Sequence, residues 1–252
     1  MDRDGFEYLY PRRNRVLQRM QRWPHHIGLA VFNALCMYLL LPAGLVGIAI
    51  WAEKNGIGVF NRVDLAKGLD IGFGILLLDL SMYMQHVLNH RIPVLWRLHQ
   101  VHHADQDLDV TSGLRFHPIE AILSLAYKAI IVCLFGISPE VTLGFEILLN
   151  ANALFNHSNV YLPGWLDRCL RLFLVTPDMH RIHHSIDQRE YSHNYGFQLT
   201  WWDRLFATYQ QSPKLGHIEM KVGLQSPNGQ MVVANTWLDL IKLPVYKKNN
   251  ES

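Results

Sequence analysis

The chain has 252 residues, half of them hydrophobic and only 17% charged, with a formal net charge of +2. Soluble domains carry about 25% charged residues on average, so the deficit points toward lipid or a large core. No basic run is long enough to indicate a nucleic-acid partner. The three cysteines, Cys36, Cys133 and Cys169, share no C-x-x-C spacing. That argues against a disulfide framework or a thiolate metal site, and they read as small buried apolar residues.

Residues 1–26 form a polar segment with six arginines between Arg3 and Arg22. It lacks the short apolar region and small-residue cleavage site of a signal peptide. His25 and His26 close it and read as interfacial. Residues 27–51 hold 25 consecutive positions without a charge. A helix needs about 20 apolar residues to cross a bilayer, and Pro42 is tolerable inside one, so a single first span is predicted. A polar connector, 52–68, leads to a second apolar segment, 69–90, which Pro93 ends. Residues 94–118 are rich in His, Asp and Arg.

Residues 119–136 and 140–157 are an apolar pair about a turn at Ile137-Ser138-Pro139. Apart from Glu120 and Glu140 at their starts, each holds one charge, Lys128 or Glu146, at similar depth from the turn. Intramembrane charges pair or face the bundle interior, so these two are predicted to be neighbours. In the aromatic, polar stretch 158–212, Trp201, Trp202 and Phe206 read as anchors at the membrane interface. The weakly patterned remainder contains a solvent-facing His217 and an interfacial amphipathic helix over 235–246. The expectation is an all-α integral membrane bundle of about four transmembrane or re-entrant helices with a cytoplasmic, histidine-rich helical cap. It divides into an N-terminal segment (1–26), a membrane-embedded domain (27–212) and a C-terminal interfacial segment (213–252).

Histidine is the outlier, at 14 residues. Arginines favour the cytoplasmic side, which sets the N-terminus there. Counting spans from that end brings every histidine group to the same side. The groups are His86-x3-His90, His99-x2-His102-His103, His157 and His180-x2-His183-His184. Positions i, i+3 and i+4 share a helix face, so each box is expected to point its imidazoles one way. Neutral imidazole ligates iron, zinc and copper, and nine exceed what one ion accepts, so two ions are implied. A ligating imidazole usually gives its other N–H to a carboxylate or carbonyl. Asp79, on one stripe with Tyr83, His86 and His90, is a candidate for that role, as are Asp178 before the last box and Asn156 beside His157. His117 is either such a supporting group or part of the interface, and His193 is a weaker candidate.

The set HVLNH, HQVHH, NHSN and HRIHH, with RFHPIE between and NYG and WWDRLFATY after, resembles the fatty acid hydroxylase/sterol desaturase superfamily from about Gly72 to Tyr209. The resemblance implies a membrane di-iron enzyme that uses O2 to hydroxylate or desaturate an unactivated C–H bond of a lipid. It implies His86, His90, His99, His102, His103, His157, His180, His183 and His184 as ligands. Some relatives carry a further histidine where this chain has Ala153, which leaves room for an open position on one ion. No G-x-G-x-x-G or iron–sulfur cysteine set is present, so electrons are expected from an external donor, a ferredoxin or cytochrome with its reductase. Zinc can occupy such a site in purified protein. Three other readings stay open on the residues alone: a membrane zinc metallohydrolase, a non-catalytic metal-binding membrane protein and a bis-histidine haem carrier.

Overall fold

The computed structural model describes residues 10–63, 66–226, 228–234 and 236–245. Arg3, Asn235 and Tyr246, which figure in the expectations above, lie outside them. Among the described residues the protein is helical, with isolated β-bridges but no sheet. The long elements are α1 (Arg19–Leu40), α2 (Gly44–Lys54), α3 (Lys67–Arg91), α4 (Pro93–His103), α5 (Pro118–Phe135) and α6 (Pro139–His157).

The apolar run at 27–51 is broken rather than continuous. α1 starts at Arg19, inside the arginine-rich segment, and stops at Leu40. Pro42 then removes a backbone donor, and Gly44 takes φ +60 before α2 begins. The interruption lets α2 turn its face onto α5 and α6, where Leu45 and Ala49 join Leu78, Val132, Val141 and Phe145 in the main apolar core. The other boundaries follow their signals. Pro93 ends α3 and opens α4, with Ile92 capping both. Gly136 closes α5 in the left-handed conformation (φ 70), and Pro139 opens α6 at its first position.

Three stretches are long and apolar enough to cross a membrane: Arg19–Lys54, Lys67–Arg91 and Pro118–Phe135. Only 11% of the most apolar window of the first and third is buried. Their exposed residues include Val31, Leu35, Leu39, Ile130 and Leu134, while across the bundle Asn33, Asp79, Thr142 and Lys128 face inward. That inversion is stable in hydrocarbon, not in water. The protein is an integral membrane protein. Lys128 and Glu146 meet, with Nζ 2.6 Å from Oε1, as their depths predicted.

At one end of the bundle lies a cap of short helices: α7 (Gly164–Leu170), α8 (Pro177–His183), α9 (Gln188–Tyr191), α10 (Trp201–Leu205), α11 (Gly216–Glu219) and α12 (Trp237–Lys242). The expected amphipathic helix at 235–246 is six residues long. It docks Leu240, fully buried, beside Leu29 and Val101, and Trp237 covers Gly28 on α1. The cysteines are not buried: Cys36 and Cys133 are partly exposed and Cys169 is exposed, all with free thiols.

The N-terminal arginines are wired into the cap. Arg22, fully buried, grips both oxygens of Asp105 (3.0 and 2.6 Å) and reaches Asp109 at 2.6 Å. His26 is not interfacial. It is buried in the same network, giving Nδ1–H to Thr111 Oγ1 (2.8 Å) and accepting from Arg115 at Nε2 (3.2 Å). Two arginines balance two aspartates, which is what burial of charge demands. Burial alone would raise the Asp109 carboxyl, but the charge of Arg22 and donors from Thr111 and Trp23 outweigh it and hold it below its ordinary 3.8. A carboxyl lowered by folding contributes stability above its unfolded pKa and loses it as pH falls through the folded value. Asp109→Asn is therefore expected to cost about 3 kcal/mol at neutral pH. In thermal unfolding of detergent-purified protein, its deficit relative to the parent should narrow progressively below pH 3.8.

Candidate metal centre

All nine imidazoles predicted from the boxes converge where α3, α4, α6 and α8 meet, and eight of them are buried. They form two abutting groups, each with its ligating atoms within 4.8 Å of one another. One comprises His86, His90, His99, His103 and His183, and the other His102, His157, His180 and His184. The boxes do not each face one way, as the sequence led one to expect. At about 100° per residue, positions i and i+4 diverge by about 40°, so His99 and His103 share a group, as do His180 and His184. The i+3 histidines, His102 and His183, swing to the other side and join the opposite group. Each of these two boxes bridges both groups, whereas His86 and His90 stay together in the first.

Proton placement shows why the groups call for cations. His86 gives Nδ1–H to the Tyr195 carbonyl (2.7 Å), and His99 gives Nδ1–H to Glu120 Oε1 (2.6 Å). Both Nε2 atoms then carry lone pairs, yet they sit 3.1 Å apart. His157 gives Nδ1–H to the Ala153 carbonyl (2.6 Å), and its Nε2 lies 3.0 Å from the Nε2 of both His102 and His180. His183 gives Nδ1–H to the His193 carbonyl (2.8 Å), leaving Nε2 without a partner. Neither nitrogen of His90 has a partner, nor has Nε2 of His103. Two nitrogens about 2.1 Å from one ion and at right angles stand about 3 Å apart. The residues fit metal ions, and the arrangement is a metal site. Burial, reinforced by neighbouring imidazoles, holds His102, His103, His180 and His184 well below their ordinary range and His183 down to about 3. All five are neutral at physiological pH, the form in which imidazole can ligate a metal. Rings packed 4.4 to 4.8 Å apart within the two groups leave no slot for a porphyrin, which disposes of the haem carrier.

The supporting shell differs from the sequence expectation. Glu120, in RFHPIE, is the carboxylate that holds a ligand ring, and Asn89 Nδ2 braces it at 3.1 Å. His117 caps α5 instead, accepting from Ile119 N, with Nε2 on the Ile241 carbonyl. Asp79 takes Trp202 Nε1 (2.8 Å) and Leu199 N (3.3 Å), so it pins the loop before α10, and Trp202 is partly enclosed by that bond. Asn156 donates to the Phe197 carbonyl, not toward His157. Asp178 pairs with Arg12 (2.9 Å) and Arg181. His217, largely buried rather than solvent-facing, stands 3.7 Å from the same carboxylate. His193 contributes its backbone carbonyl, its ring turning to Arg189 O.

The carbonyls at 193 and 195 are set by neighbours that sequence reasoning passed over. Asp203 accepts from Tyr195 N (2.8 Å), Gly196 N (2.9 Å) and Thr208 Oγ1 (2.7 Å). Burial pushes its pKa up to about 6 against those donors. Asn194, at φ 57, ties Met179 O and Gln210 O to this loop. Both residues lie in NYG and WWDRLFATY, so the signal was present without a role attached. Gly113 is fixed by close approach: a Cβ there would lie 2.9 Å from Ala153 O and 3.2 Å from His157 Nδ1.

Fold and site together define a helical membrane protein with a histidine-built metal centre in its cap. Residues 71–208, more than half of the chain, match the family described as Fatty acid hydroxylase, and the chain belongs to it. It is 34% identical over 142 residues to the ornithine lipid hydroxylase OlsE of Rhizobium tropici, covering 56% of this chain and 42% of that protein. It is 28% identical to human alkylglycerol monooxygenase (52% and 28% covered) and 26% identical to human cholesterol 25-hydroxylase (63% and 58%). The chain thus spans less than two thirds of the length of each of these relatives. No solved structure matches it.

Glu120→Ala should weaken metal retention about 10- to 100-fold, the usual cost of losing such a support, measured by metal content after graded chelation. Gly113→Ala should perturb the four-histidine group selectively, so that metal analysis finds loss of one ion before the other.

Proposed function

We propose that the chain is an O2-dependent di-iron hydroxylase of a lipid, with the nine histidines as its ligands. The observation that carries this reading is the ligand set: nitrogen only, divided five and four, and open to a cavity between membrane helices. Borderline nitrogen donors suit iron, and the family and the relatives named hydroxylase and monooxygenase support that choice over hydrolytic zinc. The overall reaction is R–H + O2 + 2 e⁻ + 2 H⁺ → R–OH + H2O. When bound, the iron pair supplies O2 reduction and insertion of one oxygen atom into the C–H bond.

The chain's own residues do the rest. Carbonyls of Ala153, His193 and Tyr195, with Glu120, keep four imidazoles in the tautomer that aims Nε2 inward. The stacked pair Trp96 and Tyr191 covers His90 and His103 on the cap side, helping exclude water. The group of four histidines, at the end of α6 where Ala153 stands, supplies one imidazole fewer than the other, which leaves a coordination position for a non-protein ligand. Electrons come from a separate carrier, a ferredoxin or cytochrome served by its reductase. The arginines at the site end, among them Arg12, Arg22, Arg91 and Arg97, support a cytoplasmic placement of the cap.

The test is purification with iron, supply of 18O2 and a reduced carrier, and mass analysis of added and endogenous lipids. The expected product gains one 18O, and His102→Ala yields none while losing metal from the four-histidine group. Protein holding zinc alone, with no oxidised lipid under any electron supply, would overturn the proposal.

A further inference from the structure

Below the histidines a cavity of about 350 Å³ opens between α1, α3, α5 and α6. His86, His99 and Glu120 line one end, and Lys128 and Glu146 line the other. Its walls include Met37, Met82, Leu125, Leu149 and Phe197, so it is mostly apolar. Glu120 touches His99, and Lys128 follows it by eight residues on α5; Ala153 touches His157, and Glu146 precedes it by seven on α6. At 1.5 Å per residue the ion pair lies about 10–12 Å below the metal centre.

A charged pair at this depth needs a reason, because hydrophobic residues of similar volume are often as stabilising or more so. It is not sealed like Arg22 and Asp109, whose side chains are 0% exposed; the Glu146 and Lys128 side chains are 28% and 11% exposed and form cavity wall. Asn33, on the same wall, leaves Oδ1 without a partner. An ammonium beside a carboxylate offers a donor and an acceptor with no net charge. That suits a small uncharged group such as a hydroxyl. An anionic headgroup would meet Glu146 and would have to shed its hydration in hydrocarbon.

We propose that Lys128 and Glu146 bind an uncharged hydroxyl-type group of the substrate, so that the lipid lies tail-first toward the metals and is oxidised about 10–12 Å from that group. This rests on the hydroxylase reading and assigns the pair as specificity-determining residues. It makes the substrate class neutral, mostly apolar lipids with one small hydrogen-bonding group.

The test uses the double variant Lys128→Met/Glu146→Met, which keeps volume and strands no charge, and a graded series of long-chain 1-alkanols with the matching alkanes. In metal-free protein in nanodiscs, alkanols should bind about tenfold more tightly than alkanes, the worth of one hydrogen bond to a charged group. The double variant should lose that preference while taking up metal normally when loaded. With iron-loaded wild type, the oxidised carbon should stay at a fixed count from the hydroxyl as the chain lengthens, and in the variant KM should rise and the position scatter. Equal binding of alkanols and alkanes by the wild type, or oxidation at a fixed count from the methyl end, would overturn the proposal. If the wild type oxidises no lipid at all, the hydroxylase reading fails, whereas the binding preference in metal-free protein still reports on the pair.

Discussion

Imidazole lone pairs held about 3 Å apart are the constraint around which this protein is built. His86 and His99 have committed their protons to Tyr195 O and Glu120, so no hydrogen bond can relieve the contact between their Nε2 atoms. A cation between them converts repulsion into ligation. Every element at that end of the bundle has a part in holding the arrangement. Pro93 breaks α3 from α4 so that His86 and His90 face His99 and His103. Gly113 lets the turn after α4 lie against the last turn of α6. Asp203 and Asn194 set the loop whose carbonyls fix the rings of His86 and His183.

The surrounding architecture solves two opposite solvation problems. The membrane helices turn apolar side chains outward and keep polar ones inside. The cap buries charge in paired sets, Arg22 and Arg115 with Asp105 and Asp109, two against two, and Arg181 with Asp178, which the partly exposed Arg12 also reaches. These sets join segments distant in sequence. The N-terminal arginines clamp the loop after α4, and the residues before the last histidine box hold the chain near Arg12. Lys128 and Glu146 stand apart from both, as a charged pair open to an apolar cavity.

Much of the site was legible in the sequence because histidine spacing and span parity are local properties. Apolar runs of 18 or more residues with few charges fix where helices cross, and parity fixes which ends coincide. The pairing of Lys128 with Glu146 follows from equal depth about one turn. The helix break at Leu41–Ala43 was not legible, since proline is compatible with either a kink or an interruption and only packing of α2 on α5 and α6 decides. Nor was the fate of His26, whose sequence neighbours look interfacial while its spatial neighbours are Thr111 and Arg115.

The sequence by itself determined the helical membrane class, the gathering of the histidines at one end of the bundle and the nine rings that converge, because periodicity and hydrophobic length act along the chain. Only the tertiary structure decided how those rings divide, five and four with the two three-histidine boxes straddling both groups, and which partners orient them. Asp79, Asn156 and Asp178 were plausible by proximity in sequence, yet Glu120 and three backbone carbonyls do the orienting. A hydrogen bond is satisfied by whatever acceptor the fold brings within 3 Å, and distance along the chain carries no information about that.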